Sequence, residues 1–223
     1  MSTEYEDLAD EYYDEQAHPT IALLRGGSQA ALEAFASSLL LVGTLFAEVG
    51  SGRGMLHNFA HGRHVISFDL NPGMLRHAPG FGVVGDATAL PVLDATFDGL
   101  FASLCDPYNT PRFLAEARRV LRPGGRLLMT VPNHAWVRHN QAHEGILNAA
   151  VVVGRRGPII VPSYVRAPDE QIQLLADHGF ASVKVFHAPL VEVVKAIGMT
   201  SPRLLDSSGR PLSPHVTDAY LAW

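Results

Sequence analysis

Apolar residues recur along the chain with the 3.6-residue period of helices in some segments and as short continuous runs in others. Residues 29–41 show the helical period most clearly, and Ser28 before them is a plausible N-cap. The apolar side chains of this segment lie on one side of a helix, at Leu32, Phe35, Leu39 and Leu40. Three further helices are predicted, over residues 55–60, 112–121 and 169–178. Thr110 followed by proline is a second plausible N-cap.

Runs rich in β-branched and aromatic residues alternate with these helices and predict strands. The runs cover residues 44–49, 64–70, 81–85, 97–104, 126–131, 181–187 and 216–223. Strands that alternate with helices at this spacing favour a mainly parallel sheet with helices on both faces. We find no internal repeat and no linker long enough to separate independent domains, so we expect one α/β domain.

Composition and charge exclude several classes of function. The chain has 223 residues, of which 47% are hydrophobic and 17% are charged, so it can bury a sizeable core. Seven acids and no base lie within residues 1–15, which leaves 15 acids against 17 Lys and Arg in the rest. A nearly neutral body lacks the positive surface that binds nucleic acid, so we expect no nucleic-acid partner.

The start of the chain has neither the basic nor the apolar region of a secretory signal. The longest mostly apolar stretch, residues 34–47, is too short to span a membrane. We therefore expect a soluble, cytoplasmic protein without a membrane partner. The single cysteine, Cys105, supplies neither an intramolecular disulfide nor a thiolate metal site by itself, and no metal is predicted.

A glycine-rich segment, Glu-Val-Gly-Ser-Gly-Arg-Gly at residues 48–54, directly follows the first predicted strand. In an open α/β sheet, ligands bind beyond the carboxyl ends of the strands, and glycines let them approach the backbone. The spacing is G-x-G-x-G, whereas a dinucleotide fingerprint needs its third glycine at the position of Met55. Alone, such a loop is as easily an ordinary turn.

Two acids at the ends of the next strands make the glycine loop more specific. Asp69 ends the second predicted strand, 21 residues beyond Glu48, where an acid can bind both hydroxyls of a ribose. Asp86 ends the third, where a carboxylate can accept from the amino group of an adenine. A glycine loop and two acids in this order predict a nucleoside-type ligand.

With these motifs the sequence resembles the class I S-adenosylmethionine-dependent methyltransferases, in particular their small-molecule branch. The segments EVGSGRG, SFDLNPGML, GDATALPVLDATFDGLFAS and LAEARRVLRPGGRLLMTVPN carry the resemblance, which spans residues 43–187. It implies a Rossmann-like, doubly wound, seven-stranded sheet that is mostly parallel, with an antiparallel last strand at residues 216–223. It also implies S-adenosyl-L-methionine as cofactor and S-adenosyl-L-homocysteine as product.

The resemblance further implies which residues bind the cofactor. The glycines of the loop are expected to approach its methionine part, while Glu48 positions the loop or the amino group. Asp69 is expected to bind the ribose, Leu70 to pack on the adenine and Asp86 to meet the adenine amino group. The full set comprises Tyr12, Glu48, Gly50, Ser51, Gly52, Gly54, Asp69, Leu70, Asp86, Ala87, Ser103 and Leu104.

An acidic N-terminal segment places Tyr5, Leu8 and Tyr12 on one face of a helix. The resemblance suggests that such a segment closes over the cofactor, with Tyr12 or Tyr13 touching the ligand. A frayed, solvated terminus is an equally good interpretation of the same residues.

The acceptor side carries the least specific signals. Asp106 and Tyr108 lie where many family members have a Leu-His-His-like stretch. Both are candidate bases, and Asp106 is alternatively a polar anchor for the acceptor. The alternative is that this segment only turns the chain into the next helix. His139 and His143 are candidate bases near neutral pH, or else exposed histidines. Apolar walls for an acceptor are expected from Trp136, Ile146, Leu147 and Val151, and Arg155-Arg156 is a candidate anion site or a solvated turn.

We therefore expect an enzyme that transfers a methyl group to a small organic acceptor by in-line displacement. A rival hypothesis keeps the fold but replaces transfer by a cyclisation, an isomerisation or an elimination, or removes catalysis altogether. The expected parts are an N-terminal helical cap (1–42), a cofactor-binding core (43–132), an acceptor-side insertion (133–167) and the rest of the sheet domain (168–223). A monomer or a homodimer is expected.

Overall fold

A computed structural model describes residues 8–223, in which seven strands form one sheet. The strands of this sheet are β1 (Leu45–Val49), β2 (His64–Asp69), β3 (Phe81–Val84), β4 (Phe97–Ala102), β5 (Leu121–Pro132), β8 (Val183–Pro189) and β9 (His215–Ala222). Two more strands, β6 (Ala149–Gly154) and β7 (Gly157–Pro162), form a separate antiparallel hairpin. The helices are α1 (Pro19–Leu40), α2 (Pro72–Leu75), α3 (Pro111–Val120), α4 (His134–Glu144), α5 (Pro168–Asp177) and α6 (Leu190–Ile197).

The sheet has the strand order β3-β2-β1-β4-β5-β9-β8. Neighbouring strands from β3 to β5 are parallel, whereas β9 is antiparallel to both β5 and β8. The predicted seven-stranded, mostly parallel sheet with an antiparallel last strand is therefore confirmed. The order reverses between β1 and β4, and ligands bind at such a switch point in open α/β sheets.

Helices cover both faces of the sheet, as predicted. Successive residues of a strand point to opposite faces, so Leu100 and Phe101 of β4 enter different cores. Leu100 packs in a core with Phe113 of α3 and Leu175 of α5. Phe101 packs in the opposite core with Leu32 of α1. The strand β4 is buried along its whole length, as expected of a central strand with helices on both faces of its sheet.

The first helix differs from its prediction. It begins at Pro19 rather than after Ser28, and Ser28 lies buried within it, where its Oγ is 2.7 Å from Oγ1 of Thr130. Gly26 and Gly27, which are poor helix formers, lie within this helix. A Cβ at Gly27 would collide with Thr217 of β9, so the close packing of this helix on the sheet requires the glycine.

Other differences concern short or capped elements. Residues 55–60 form only a 3-10 turn over Met55–Asn58, because Gly54 before it has a left-handed backbone. The helices α2, α4 and α6 and the β6–β7 hairpin were not predicted. The predicted cap at Thr110 is confirmed, since its Oγ1 accepts from the N–H of Phe113. Gly179, which follows α5, has a φ of 85°, a left-handed backbone that favours glycine.

Among residues 8–223, no helix is long and apolar enough to cross a membrane.

Candidate active site

The carboxyl ends of three central strands bring the predicted cofactor residues together. Val49, the last residue of β1, pairs with Phe68 of β2 on one side and with Ala102 of β4 on the other. The segments that follow these strands are therefore neighbours. They contain the glycine loop, Asp69 and Ser103, which were predicted from separate motifs.

The glycine loop has a backbone that other residues rarely adopt. Gly50, Gly52 and Gly54 have φ values of 61°, 48° and 78°. Side chains also leave no room for a Cβ, which would meet the hydroxyl of Tyr108 at Gly50 and the hydroxyl of Tyr13 at Gly52. Glycine is thus required in the loop for two reasons: the backbone is left-handed, and tyrosine side chains approach it closely.

Asp69 ties the glycine loop to the segment after β2. Its Oδ2 accepts a 3.0 Å hydrogen bond from the Gly52 N–H, and its Oδ1 accepts one of 3.0 Å from the Asn71 N–H. Burial raises the pKa of this carboxyl. Because an ionised carboxylate offers about four acceptor positions, each oxygen can still accept a bond from a ribose hydroxyl.

A cavity of about 210 Å³ lies beside Asp69 and has the residues expected for an adenosine site. Leu70 contributes an apolar wall, and Asp86 and Ala87 line the end of β3. The Asp86 Oδ1 accepts from the backbone and the hydroxyl of Thr88, which orients the carboxylate. The sequence-predicted ribose and adenine residues therefore share one cavity.

A second cavity of about 210 Å³ lies over the glycine loop. Ser51, Gly52 and Gly54 line it together with Arg25 and Gln29 of α1. The Ser51 Oγ is buried and has no hydrogen-bond partner among the described residues. The two cavities share Gly50 and Ser103, so one extended ligand can occupy both. The tight glycine cradle, the Asp69 carboxylate and the unsatisfied serine fit an S-adenosylmethionine-type ligand.

Glu48 lies beneath the loop rather than in either cavity. It is fully buried, its Oε1 accepts a 3.1 Å hydrogen bond from the Leu56 N–H, and its Oε2 has no partner among the described residues. Burial raises the pKa of Glu48 to about 8. Its contacts fit the expectation that it positions the loop, whereas it does not line the space expected for the amino group.

A third cavity, of about 310 Å³ and mainly apolar, adjoins the first two and is called the acceptor cavity below. Its walls come from the start of α1, from α4 and from the β6–β7 hairpin. Tyr12 and Leu104 line all three cavities. Leu104 has a φ of 47°, and its N–H donates to the Thr130 Oγ1 at 2.9 Å. These two residues therefore mark the junction of the cavities.

Asp106 lines the acceptor cavity and is only 9% exposed. The Ser163 Oγ donates to its Oδ2 at 2.7 Å, and burial raises the pKa of Asp106 to about 7. Tyr108 lies on the cofactor side, where its hydroxyl donates to the Val49 carbonyl at 2.9 Å and its ring packs edge-on against Phe113. The structure thus places the first candidate base beside the acceptor space and holds the second against the backbone.

The N-terminal segment folds over the glycine loop. The Tyr13 hydroxyl accepts from the Arg53 N–H at 2.8 Å, and the Arg25 and Arg53 guanidinium groups lie 4.7 and 4.0 Å from its ring centre. Burial raises the pKa of Tyr12 above its usual range. Leu8 is buried beside the acceptor cavity, and Tyr5 lies outside the described residues. The lid-like arrangement fits the described part of the segment better than a solvated terminus does.

Two candidate bases are not brought to the site. His139 and His143 are exposed on α4 and line none of the cavities described above, because the opposite face of the helix turns inward. That face carries Trp136, Val137, Asn140, Gln141 and Glu144. Of the other expected walls, Val151 lines the cavity and Leu147 is exposed.

Several cavity residues were missed by the sequence interpretation. They are His18, Thr20, Asn140, Gln141, Ser163, Ser201 and Arg203. Asn133, which caps α4 by accepting from the Ala135 N–H, was a signal that a helix begins there. Arg155, a candidate anion-binding residue, instead forms ion pairs with Glu11 at 3.3 Å and Asp14 at 3.6 Å. Within residues 8–223, no group of three or more His, Cys, Asp or Glu could hold a metal ion.

Comparisons with known proteins agree with this geometry. A family model described as a methyltransferase domain matches residues 47–129. A malonyl-[acyl-carrier protein] O-methyltransferase of Hahella chejuensis is 29% identical over 71% of this chain and 65% of its own length. A ubiquinone/menaquinone biosynthesis C-methyltransferase of Paracoccus denitrificans is 35% identical over 46% of each chain. The chain thus spans less than two thirds of the length of these relatives.

Solved structures show the same fold at lower sequence identity. A methyltransferase of Thermotoga maritima, described as a possible histamine N-methyltransferase, superposes with a TM-score of 0.66 at 19% identity, over 100% of this chain and 99% of its own. A phosphoethanolamine N-methyltransferase of Haemonchus contortus, solved with S-adenosylhomocysteine, gives a TM-score of 0.61 at 15% identity, over 86% of this chain and 52% of its own.

Proposed function

We propose that this chain is a class I S-adenosylmethionine-dependent methyltransferase and that it transfers a methyl group to a small, mainly apolar acceptor. The observation that carries this proposal is the junction at Tyr12 and Leu104, where the two cofactor-side cavities meet the acceptor cavity. A donor in the first two and an acceptor in the third would meet at this junction.

The cofactor-side cavities supply the groups that S-adenosylmethionine needs. Asp69 would bind the ribose hydroxyls, Leu70 and Asp86 the adenine, and the glycine loop with Ser51 the methionine part. When bound, the cofactor supplies an activated methyl group on a sulfonium. The part of this chain is to hold donor and acceptor in line, which is worth effective molarities on the order of 10⁵ M or more for well-oriented pairs.

The β6–β7 hairpin and the N-terminal segment, which both line the acceptor cavity, would shield the reacting atoms from water. The two are joined by a hydrogen bond, which the Arg155 N–H of the hairpin donates to the Glu11 Oε1 at 2.8 Å. Pro107, the next residue after Asp106, lines both the acceptor cavity and the cofactor-side cavity beside Asp69. Asp106 therefore lies near that cofactor-side cavity. A carboxyl whose pKa is about 7 can hold or release a proton near neutral pH, so Asp106 is a group that could handle the acceptor's proton.

We also propose a division of the chain into parts and a setting for the protein. Residues 43–132 and 168–223 would form the cofactor-binding sheet domain, whereas residues 1–42 and 133–167 would supply the cap and the acceptor side. A metabolite acceptor, a cytoplasmic location, no nucleic-acid partner and a monomer or homodimer fit the nearly neutral body of the chain.

Product mass tests the proposed function. Purified protein is incubated with S-adenosylmethionine and a panel of small apolar acceptors, and the mixtures are examined by mass spectrometry. Gain of one methyl by an acceptor, with an equal amount of S-adenosylhomocysteine, supports transfer. Conversion of an acceptor without a methyl gained would contradict transfer and favour the cyclisation, isomerisation or elimination hypothesis.

A further inference from the structure

A buried histidine that no sequence motif marked lines the acceptor cavity. His18 precedes α1 and is 6% exposed, and its side chain makes no capping hydrogen bond to the helix. Its Nε2 faces the Glu11 Oε2 at 3.6 Å. These contacts do not give His18 a structural role at the start of the helix.

The Glu11 carboxylate favours one tautomer of the His18 ring. The His18 Nε2 is buried without a hydrogen-bond partner among the described residues, and the carboxylate 3.6 Å away attracts an N–H at this position, which favours the tautomer with its lone pair on Nδ1. Nδ1 has no hydrogen-bond partner in the described part of the chain. Unlike Nε2, it is not fully enclosed by protein atoms and is therefore accessible. Glu11 is itself fixed by the Arg155 N–H at 2.8 Å. The ring is thus oriented by a buried carboxylate and presents an available base.

The charges around the acceptor cavity indicate the chemistry of its ligand. Arg203 pairs with the Glu144 Oε1 at 2.7 Å, which balances their charges, while the Glu144 Oε2 is buried without a hydrogen-bond partner among the described residues and can accept from a ligand. The other ionisable groups on the walls are His18, Asp106 and Tyr12. Both Asp106 and His18 can accept protons, and the surrounding walls are apolar. An uncharged acceptor that must lose a proton suits this combination better than a carboxylate does.

We propose that His18, oriented by Glu11, is the catalytic base of the methyl transfer and that the acceptor is an uncharged molecule with an ionisable hydroxyl, such as a phenol or an enol. This inference rests on the proposed function. The hydroxyl proton passes to His18 Nδ1, the oxygen lone pair forms the bond to the methyl carbon, and the carbon–sulfur bond breaks with its electron pair left on sulfur. The products are a methyl ether, S-adenosylhomocysteine and a protonated His18, which loses its proton to solvent.

Three probes with one apolar body and different head groups test the acceptor class. They are 4-propylphenol, 4-propylaniline and 4-propylbenzoic acid, each given with S-adenosylmethionine to the wild-type protein. We expect the phenol to be methylated fastest. Faster methylation of the aniline or the acid, or of none of the three while S-adenosylmethionine still binds, would overturn the hydroxyl assignment. Absence of cofactor binding would instead overturn the proposed function.

The substitution His18→Asn tests the base, because asparagine keeps a polar atom near the position of Nδ1 but accepts no proton. We expect kcat for 4-propylphenol to fall by about 100- to 10,000-fold, the range of general-base catalysis, with KM little changed. The loss should shrink as the pH approaches the phenol's own pKa of about 10. For 4-nitrophenol, which is already ionised at mildly alkaline pH, the variant and the wild type should react alike.

Glu11→Gln tests the orientation of the ring. Because the Glu11 carboxylate faces the ring at 3.6 Å, the variant should lower kcat for 4-propylphenol but not for 4-nitrophenol, and the acidic limb of the pH profile of kcat is compared among the variants. The charged and titratable groups around His18 are Glu11, Asp14 and Arg155 on the lid side and Tyr12 and Asp106 in the cavity. Asp106→Asn therefore serves as the matched variant, and an acidic limb lost in it but kept in His18→Asn would assign the base to Asp106. Equal losses for 4-nitrophenol and 4-propylphenol in His18→Asn would contradict a base and leave a structural role.

Discussion

The Ser163 hydroxyl donates a 2.7 Å hydrogen bond to the Asp106 carboxylate, which joins the end of the β6–β7 hairpin to the turn after β4. The Tyr164 N–H also donates to the Asp106 carbonyl at 2.9 Å. The two segments lie 57 residues apart in the chain. This pairing holds a buried carboxyl at the wall of the acceptor cavity, and its burial has consequences for both stability and activity.

Asp106 is expected to make the protein less stable as the pH rises. Burial raises its pKa from 3.8 to about 7, so between these values the folded protein holds a proton that the unfolded chain has released. The contribution is therefore full at low pH and lost as the pH rises through about 7. Asp106→Asn should remove it, on the order of 2 kcal/mol between pH 5 and 8. Urea denaturation at both pH values measures the difference.

The exposed acid Asp94 provides the control for Asp106. Its side chain is 78% exposed and pairs with Arg119 on the surface, so Asp94→Asn should leave the pH dependence unchanged. If Asp106→Asn showed the same pH dependence as the wild type, the carboxyl would not be buried as the structure has it.

Glu48 should also make the protein less stable as the pH rises, and its effect should extend to a higher pH than that of Asp106. Its burial raises the pKa to about 8, and its Oε2 has no partner among the described residues. Glu48→Gln keeps the oxygen that accepts from the Leu56 N–H and carries no charge. We expect the melting temperature of the variant, relative to that of the wild type, to be higher at pH 9 than at pH 6. A variant that is destabilised more at pH 9 than at pH 6 would refute the assigned burial.

Gly52 and Gly62 offer a matched test of the glycine cradle. Both have a left-handed backbone, with φ values of 48° and 71°, but only a Cβ at Gly52 meets a side chain within 4 Å. Each alanine should cost about 1 kcal/mol of stability for its backbone. Gly52→Ala should also displace Tyr13 and weaken S-adenosylmethionine binding at least tenfold, whereas Gly62→Ala should not affect binding. Calorimetry on the two variants decides; equal affinities would mean that the close approach has no part in binding.

Tyr108 is expected to support the site rather than take part in proton transfer. Its hydroxyl donates to the Val49 carbonyl, so Tyr108→Phe should cost about 1 kcal/mol of unfolding free energy. The ring still packs against Phe113, and kcat should fall less than fivefold. Tyr108→Ala should cost more stability because it also removes the ring. A loss of kcat above 100-fold in Tyr108→Phe, with unchanged cofactor affinity, would make the hydroxyl catalytic.

The cofactor side could be predicted because its residues are local to strand ends. Gly50, Asp69 and Asp86 each follow a strand that the apolar runs mark, and parallel strands place their carboxyl ends at one edge of the sheet. Their mutual positions therefore follow from the order of the motifs. The role of Asp69 in holding Gly52 was not foreseen, because it depends on the fold of the loop.

The acceptor side could not be predicted because its residues come from segments that meet only in the folded chain. His18, Asn140, Ser163 and Arg203 lie in four different segments, and none belongs to a motif. His139 and His143 lie outside the cavities, which could not be foreseen because the sequence places them four residues apart on one face of a helix but does not say which face turns inward. The packing of Trp136 and Val137 decides it.

Calorimetric titration of S-adenosylmethionine and S-adenosylhomocysteine tests the central claim most directly. Asp69→Ala removes the expected ribose contacts, and Asp94→Ala removes an exposed carboxylate that lines none of the cavities. We predict micromolar binding by the wild type and by Asp94→Ala, and at least a 100-fold loss, about 2.7 kcal/mol, in Asp69→Ala. No binding by the wild type at millimolar ligand, or equal affinity in Asp69→Ala, would contradict the account.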